Sequence, residues 1–132
     1  MFWNRRKTPP IRSLVCEGTV VRGDMQFVDG LRIDGKVLGS VTCVATQPSI
    51  VVISEKASVH GRVNASHVII AGEVLGPIEA DGLVELQPTA RVVGDVRYAA
   101  LEMHAGAVVD GELRPIKNAD KPTLKLAASN DI

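Results

Sequence analysis

The sequence predicts an all-β fold, a right-handed parallel β-helix of about six coils with three faces, and three observations lead there. A seven-residue pattern, small–x–Val–x–Gly–x–Val with conservative departures, recurs at residues 19–25, 35–41, 57–63, 72–78, 90–96 and 107–113. Its glycines, Gly23, Gly39, Gly61, Gly76, Gly94 and Gly111, follow one another at 16, 22, 15, 18 and 17 residues. A shorter apolar–x–apolar segment precedes each copy, at Leu14/Cys16, Leu31/Ile33, Val51/Ile53, Val68/Ile70, Val84/Leu86 and Leu101/Met103. Both segments alternate with period two, so both read as strands with one face buried, and no stretch sustains a helical period.

Taken in order, the chain divides into residues 1–13, a tail; 14–115, the repeats; and 116–132, a second tail. The first tail carries Arg5, Arg6, Lys7 and Arg12 and no acid, and Thr8-Pro9-Pro10 makes it a stiff spacer. The repeats carry eight bases and thirteen acids, so a basic arm precedes an acidic body. The second tail has mixed charge, Pro122 and little periodicity, and is expected to be disordered. Turn-forming residues such as Gln87-Pro88-Thr89 and His104-Ala105-Gly106 separate the strands. The one long glycine interval contains Gln47-Pro48, which marks a loop insertion.

Self-similarity at about 17 residues is the signature of a solenoid. Equivalent residues of successive coils then stack about 4.8 Å apart, and six coils make a rod of roughly 25–30 Å. The Val and Ile columns become one interior ladder. The glycine column suits a recurrent bend where a Cβ would crowd the neighbouring coil. An antiparallel meander has no reason to repeat Gly in the same phase six times. The six-residue aliphatic period of left-handed acyltransferase helices fails here, since Val59 leads to Ala65, Ala71 and Pro77. Right-handed coiling is therefore expected.

Composition agrees: 45% of residues are apolar, mostly Val, Ile, Leu and Ala, and 3% are aromatic. Cys16 and Cys43 form no C-x-x-C pair and fall at small apolar positions, so both are expected as buried thiols rather than a disulfide. No apolar run approaches the roughly 18 residues of a spanning helix, and the N-terminus lacks the apolar core of a signal peptide. A cytoplasmic location follows unless something tethers the chain.

The six-fold G-x-V columns, the short connections and the proline-containing tails on both sides resemble the bactofilin family over residues 14 to about 115. The resemblance implies a bacterial cytoskeletal protein whose right-handed β-helices stack end to end into filaments without nucleotide. It also implies association with the inner membrane and a scaffold role for cell-wall, cell-shape or polar machinery, with the client proteins unnamed. Many such proteins carry a short amphiphilic N-terminal peptide, and residues 1–7 look like one.

The residues themselves suggest how such a chain would work. A β-helix exposes unpaired backbone groups and an apolar rim at each end, and no amphipathic helix stands ready to cap either one. The first coil offers Leu14, Cys16, Val21, Met25 and Phe27; the last offers Leu101, Met103, Val109 and Leu113. These are the expected self-assembly surfaces, with tails folded over the ends as the alternative. Phe2 and Trp3 beside Met1, with Arg5, Arg6 and Lys7 following, form the expected membrane-binding segment. Alternation places Leu38, Val52, Ile69, Leu75 and Val93 outward, as a lateral patch or a surface covered by a tail.

Enzyme readings fail on inventory. Val20-Val21-Arg22-Gly23-Asp24 resembles a segment of trimeric hexapeptide-repeat carbonic anhydrases, which hold zinc through three histidines. Here His60, His67 and His104 lie on different parts of different coils, with no carboxylate spacing to support them. Paired carboxylates, a Gly-rich phosphate loop and a nucleophile elbow are all read as absent. No catalytic residue, cofactor or metal is expected, and the acidic body argues against nucleic acid. The alternatives are a solenoid transferase or hydratase and a monomeric, capped adaptor.

Overall fold

The computed structural model describes residues 9–44 and 47–116. The described residues form strands and no helix. The strands are Ile11–Val15 (β1), Val20–Arg22 (β2), Met25–Phe27 (β3), Gly30–Ile33 (β4), Lys36–Leu38 (β5), Val41–Cys43 (β6), Ile50–Ile53 (β7) and Ser58–His60 (β8). Val63–Ile70 (β9), Glu73–Leu75 (β10), Ile78–Leu86 (β11), Arg91–Val93 (β12), Val96–Met103 (β13), Val108–Asp110 (β14) and Leu113–Pro115 (β15) complete the set. Every pairing is parallel and joins one coil to the next, which makes a β-solenoid of about six turns.

Each coil contributes to three faces. The first face runs β1, β4, β7 and then the second halves of β9, β11 and β13. The second runs β2, β5, β8, β10, β12 and β14. The third runs β3, β6, the first halves of β9, β11 and β13, and β15. Alternation points every second side chain inward, and stacking aligns those side chains into columns. Val37, Val59 and Val74 form one column on the second face, each fully buried. Leu31, Val51, Val68 and Val84 form another on the first. β-Branched residues suit this role because they pack on a pleated surface and lose little rotamer freedom there. Ser49 is the one buried polar side chain among the described residues, and its Oγ accepts the Ser66 N–H at 3.1 Å.

Backbone bonds run in both directions along the rod. The Val63 N–H donates to Pro77 C=O of the following coil at 3.0 Å, and the Glu73 N–H to Ala57 C=O of the preceding coil at 3.1 Å. Each inner coil is therefore bonded on both sides.

The corner between the second and third faces is occupied by the glycine column. A Cβ at Gly94 would lie 2.6 Å from the Gly76 carbonyl oxygen, and φ at Gly94 is +140°. Both the close approach and the backbone angle exclude a side chain there. At Gly23 a Cβ would meet nothing within 4 Å, because no coil precedes it among the described residues.

The corner between the first and second faces varies in length. Residues 16–19, 54–57, 87–90 and 104–107 make four-residue turns closed by one backbone bond, such as Ala57 N–H to Ser54 C=O at 2.9 Å. Residues 34–35 and 71–72 cross the same corner in two residues. The insertion expected around Gln47-Pro48 falls at the remaining corner, between β6 and β7.

Two local expectations are corrected. Ser13 and Val15, not Leu14 and Cys16, stand in register with Leu31 and Ile33. A register shift between Ile11 and Ser13 sets this phase, and Leu14 faces outward beside Arg32. Cys16 is exposed rather than buried, because its carbonyl closes the first four-residue turn. Cys43 is half-buried against the core.

Candidate assembly interface

The two ends of the rod differ from its middle in one respect. The edges β1, β2 and β3 at one end, and the second half of β13 with β14 and β15 at the other, have a strand partner on one side only among the described residues. The interior columns continue into these edges and become accessible there. Val21 and Val109 end the second-face column and are both half-buried, where Val37 to Val74 are sealed. On the last coil Met103 is 44% exposed and Leu113 40%, although both continue buried columns. Among the described residues no further coil shields them.

The predicted residues divide on this geometry. Met25, Leu101 and Val109 are half-buried at the rims. Met103 and Leu113 are exposed rim residues. Leu14 is exposed but points sideways, and Cys16 sits in a turn, so neither belongs to the apolar column. Phe27 is 6% exposed and sealed within the core, so it offers a partner little surface. Val20 and Val108, both exposed in edge strands, were missed because alternation assigns them outward. The membrane-binding candidates Met1, Phe2, Trp3, Arg5, Arg6 and Lys7 lie outside the described residues.

Polar groups at the glycine corner extend the repeat. Asp24 Oδ1 accepts the Ser40 N–H at 2.9 Å, and Asp95 Oδ1 accepts the Glu112 N–H at 3.0 Å. Each carboxylate thus caps a backbone donor one coil further on. Where the corner residue is Arg62, which has no acceptor, the following coil has Pro77, which has no N–H. Surface ion pairs ladder similarly: Glu79 lies 3.8 Å from Arg62 and 3.6 Å from Arg97. Such exposed pairs contribute little to stability, about 0–1 kcal/mol each.

The three histidines lie on different parts of different coils, as their spacing suggested, but one of them has the carboxylate neighbours that spacing did not suggest. His60 is exposed on β8, with Nε2 3.9 Å from Glu73. His67 is partly buried, and desolvation holds its pKa below the usual histidine value against the opposing pull of Glu85 and Glu102. His104 lies beside Glu85 and Glu102. The pairing of Val84/Leu86 with Leu101/Met103 already implies Glu85 over Glu102; the direction of the His104 side chain at its turn is the part no spacing conveys. A shallow recess lined by Glu17, Asp34, Lys36 and Lys56 lies at the short corner of residues 34–35, beside the longer turns of its neighbouring coils.

No helix among the described residues is long and apolar enough to cross a membrane. No solved structure matches the chain. Bactofilin BacO of Myxococcus xanthus (strain DK1622) is 27% identical over 111 residues, which cover 84% of this chain and 85% of that protein. The family model described as "Bactofilin: Polymer-forming cytoskeletal" matches residues 13–114, almost the whole solenoid. Parallel coils, a glycine column and that match agree, and the chain belongs to the bactofilin family of polymer-forming cytoskeletal proteins.

Proposed function

We propose that this chain polymerises by stacking the open ends of its solenoid on those of other copies, without nucleotide, and that the filament is a scaffold on the cytoplasmic face of the inner membrane. The observation that carries the reading is the exposure of column residues at the last coil, Met103 and Leu113, with a one-sided strand edge beside them. Stacking buries both at once. Apolar burial contributes about 25 cal/mol per Å², and edge pairing supplies the backbone partners. No phosphate-binding loop is present in the sequence, so the free energy of stacking comes from contact alone.

Membrane attachment would come from residues 1–7. Each base near an anionic leaflet contributes about 1 kcal/mol, and the two aromatics add interfacial anchoring. One copy binds weakly; a filament displays many copies and gains by effective concentration. Filament and membrane binding then reinforce each other, and a membrane-bound rod can hold cell-wall or cell-shape proteins in place.

Sedimentation and electron microscopy of the purified chain without nucleotide test the reading. Long filaments are expected from the native sequence and short oligomers from Met103→Glu and Leu113→Glu. Undiminished polymers from both variants would sink the end-stacking model. Deletion of residues 2–7 should leave filaments intact and abolish co-pelleting with anionic vesicles; equal pelleting removes the anchor from the proposal.

A further inference from the structure

We propose that Glu85, Glu102 and His104 form a site for a divalent transition metal of the zinc type, which staples the last coil to the one before it. Three separate observations converge. First, Glu85 of β11 stands directly in register with Glu102 of β13. Like charges directly opposite on neighbouring strands are destabilising. Elsewhere the rod neutralises such groups: Glu79 has Arg62 and Arg97, and Asp95 has Arg114. No Lys or Arg among the described residues forms an ion pair with Glu85 or Glu102.

Second, His104 Nε2 is shielded from solvent and has no hydrogen-bond partner. The polar groups nearest to it are the two carboxylates, each too far for a hydrogen bond and both facing it. Third, the distances suit a metal. His104 Nε2 lies 3.6 Å from Glu85 Oε2 and 3.6 Å from Glu102 Oε2, and the three ligand atoms all lie within 4.8 Å of one another. Zinc bonds imidazole nitrogen and carboxylate oxygen at about 2.0–2.2 Å, which sets a tetrahedral edge of about 3.4 Å. The two imidazole–carboxylate separations are near that edge already. The two carboxylate oxygens lie within 4.8 Å of each other, and a cation between them would offset their repulsion.

The donor set chooses the metal. One imidazole and two carboxylates suit zinc and its neighbours, whereas magnesium and calcium prefer all-oxygen shells. Three protein ligands leave a fourth position to water. The Gln87 side-chain amide donates to Glu85 Oε2, the same oxygen that faces His104, and so holds that carboxylate in place. The ligands come from two successive coils, so occupancy ties the edge strand of the last coil to the body of the rod.

The test uses the full chain carrying Cys16→Ser, so that the exposed thiol at the other end cannot bind the probe. Zinc chloride is titrated calorimetrically at neutral pH, with magnesium chloride in parallel. One zinc per chain is expected, bound at least about tenfold more tightly than magnesium, with thermal stability rising on addition. His104→Gln and Glu102→Gln should each weaken zinc binding at least about tenfold and abolish the thermal shift. Circular dichroism of each variant establishes that it is folded, and either variant serves if the other fails to fold. Zinc affinity unchanged in both variants overturns the site. So does a Cys16→Ser parent chain that binds zinc no better than magnesium.

Discussion

The middle of the rod and its ends are built from the same residues and behave differently. Val74 and Val109 occupy one column, two strands apart along the second face, yet Val74 is sealed and Val109 is half-buried. Nothing in the residue explains this. Val74 has a coil on each side, and Val109 has a coil on one. In most folds the core and the interaction surface are different residues; in the proposed assembly the interface is a core column laid open at the last described coil. That is why a β-solenoid without caps tends to assemble, and why its assembly needs no separate recognition motif.

The comparison breaks most sharply under charge. Val74→Asp places a carboxylate in a fully buried column with no partner, and unfolding by more than about 4 kcal/mol is expected in a denaturant melt. Leu113→Glu, at a 40%-exposed rim, should shift the same melt by less than about 1 kcal/mol while shortening the polymer. Glycine gives the next contrast. Gly94→Ala drives a Cβ against the Gly76 carbonyl at an angle unsuited to side chains, and should cost roughly 3 kcal/mol. Gly23→Ala, at φ +123° but with open space, should cost only about 1 kcal/mol, read by thermal unfolding of the two variants side by side. A smaller difference between them would mean that backbone angle, not crowding, governs the column.

The smallest effect concerns pH. The Ser54 hydroxyl donates to Asp34 Oδ1 at 2.6 Å, and this bond leads the lowering of the Asp34 pKa below 3.8, with Arg32 adding to it. A carboxyl held lower in the folded state contributes stability that is present above its unfolded value and lost as pH falls through the folded one. Ser54→Ala should therefore bring the Asp34 titration back towards 3.8, and its slight destabilisation should vanish in strongly acidic buffer. An Asp34 titration unmoved by the substitution would assign the shift to Arg32.

Much of the fold was legible because the repeat is short and exact in its glycines. Phase along each strand followed from alternation, and the stacking partner followed from period. The first coil shows where that method stops. Leu14 and Cys16 look like the repeat's apolar pair, but the shift between Ile11 and Ser13 moves Val15 into the column. Counting back from the four-residue turns would have found it, since Val15 stands before its turn as Ile53, Leu86 and Met103 stand before theirs. Phe27 was misplaced for a different reason. It belongs to the first coil but is covered, and burial at a rim depends on local packing that no period reports.

The cluster around His104 was legible only in part: the pairing of Val84/Leu86 with Leu101/Met103 sets Glu85 over Glu102, but nothing in it brings in His104. His104 stands two residues after Glu102 and nineteen after Glu85, a spacing that resembles no metal motif. It forms because β11 carries two residues, Asp81 and Gly82, opposite the single Ala99 of β13. That bulge shifts the register so that Glu85 meets Glu102 rather than Met103.

By itself, then, the sequence determined the strand content, the number of coils, the inward columns and the glycine corner, because each is a periodic property and period is written in the residue order. The tertiary structure decided which rim residues are open, where the corners are long or short, and that His104 swings towards two carboxylates. Those depend on bulges, turn closure and what lies on the far side of an edge, which are contacts between coils rather than patterns along the chain.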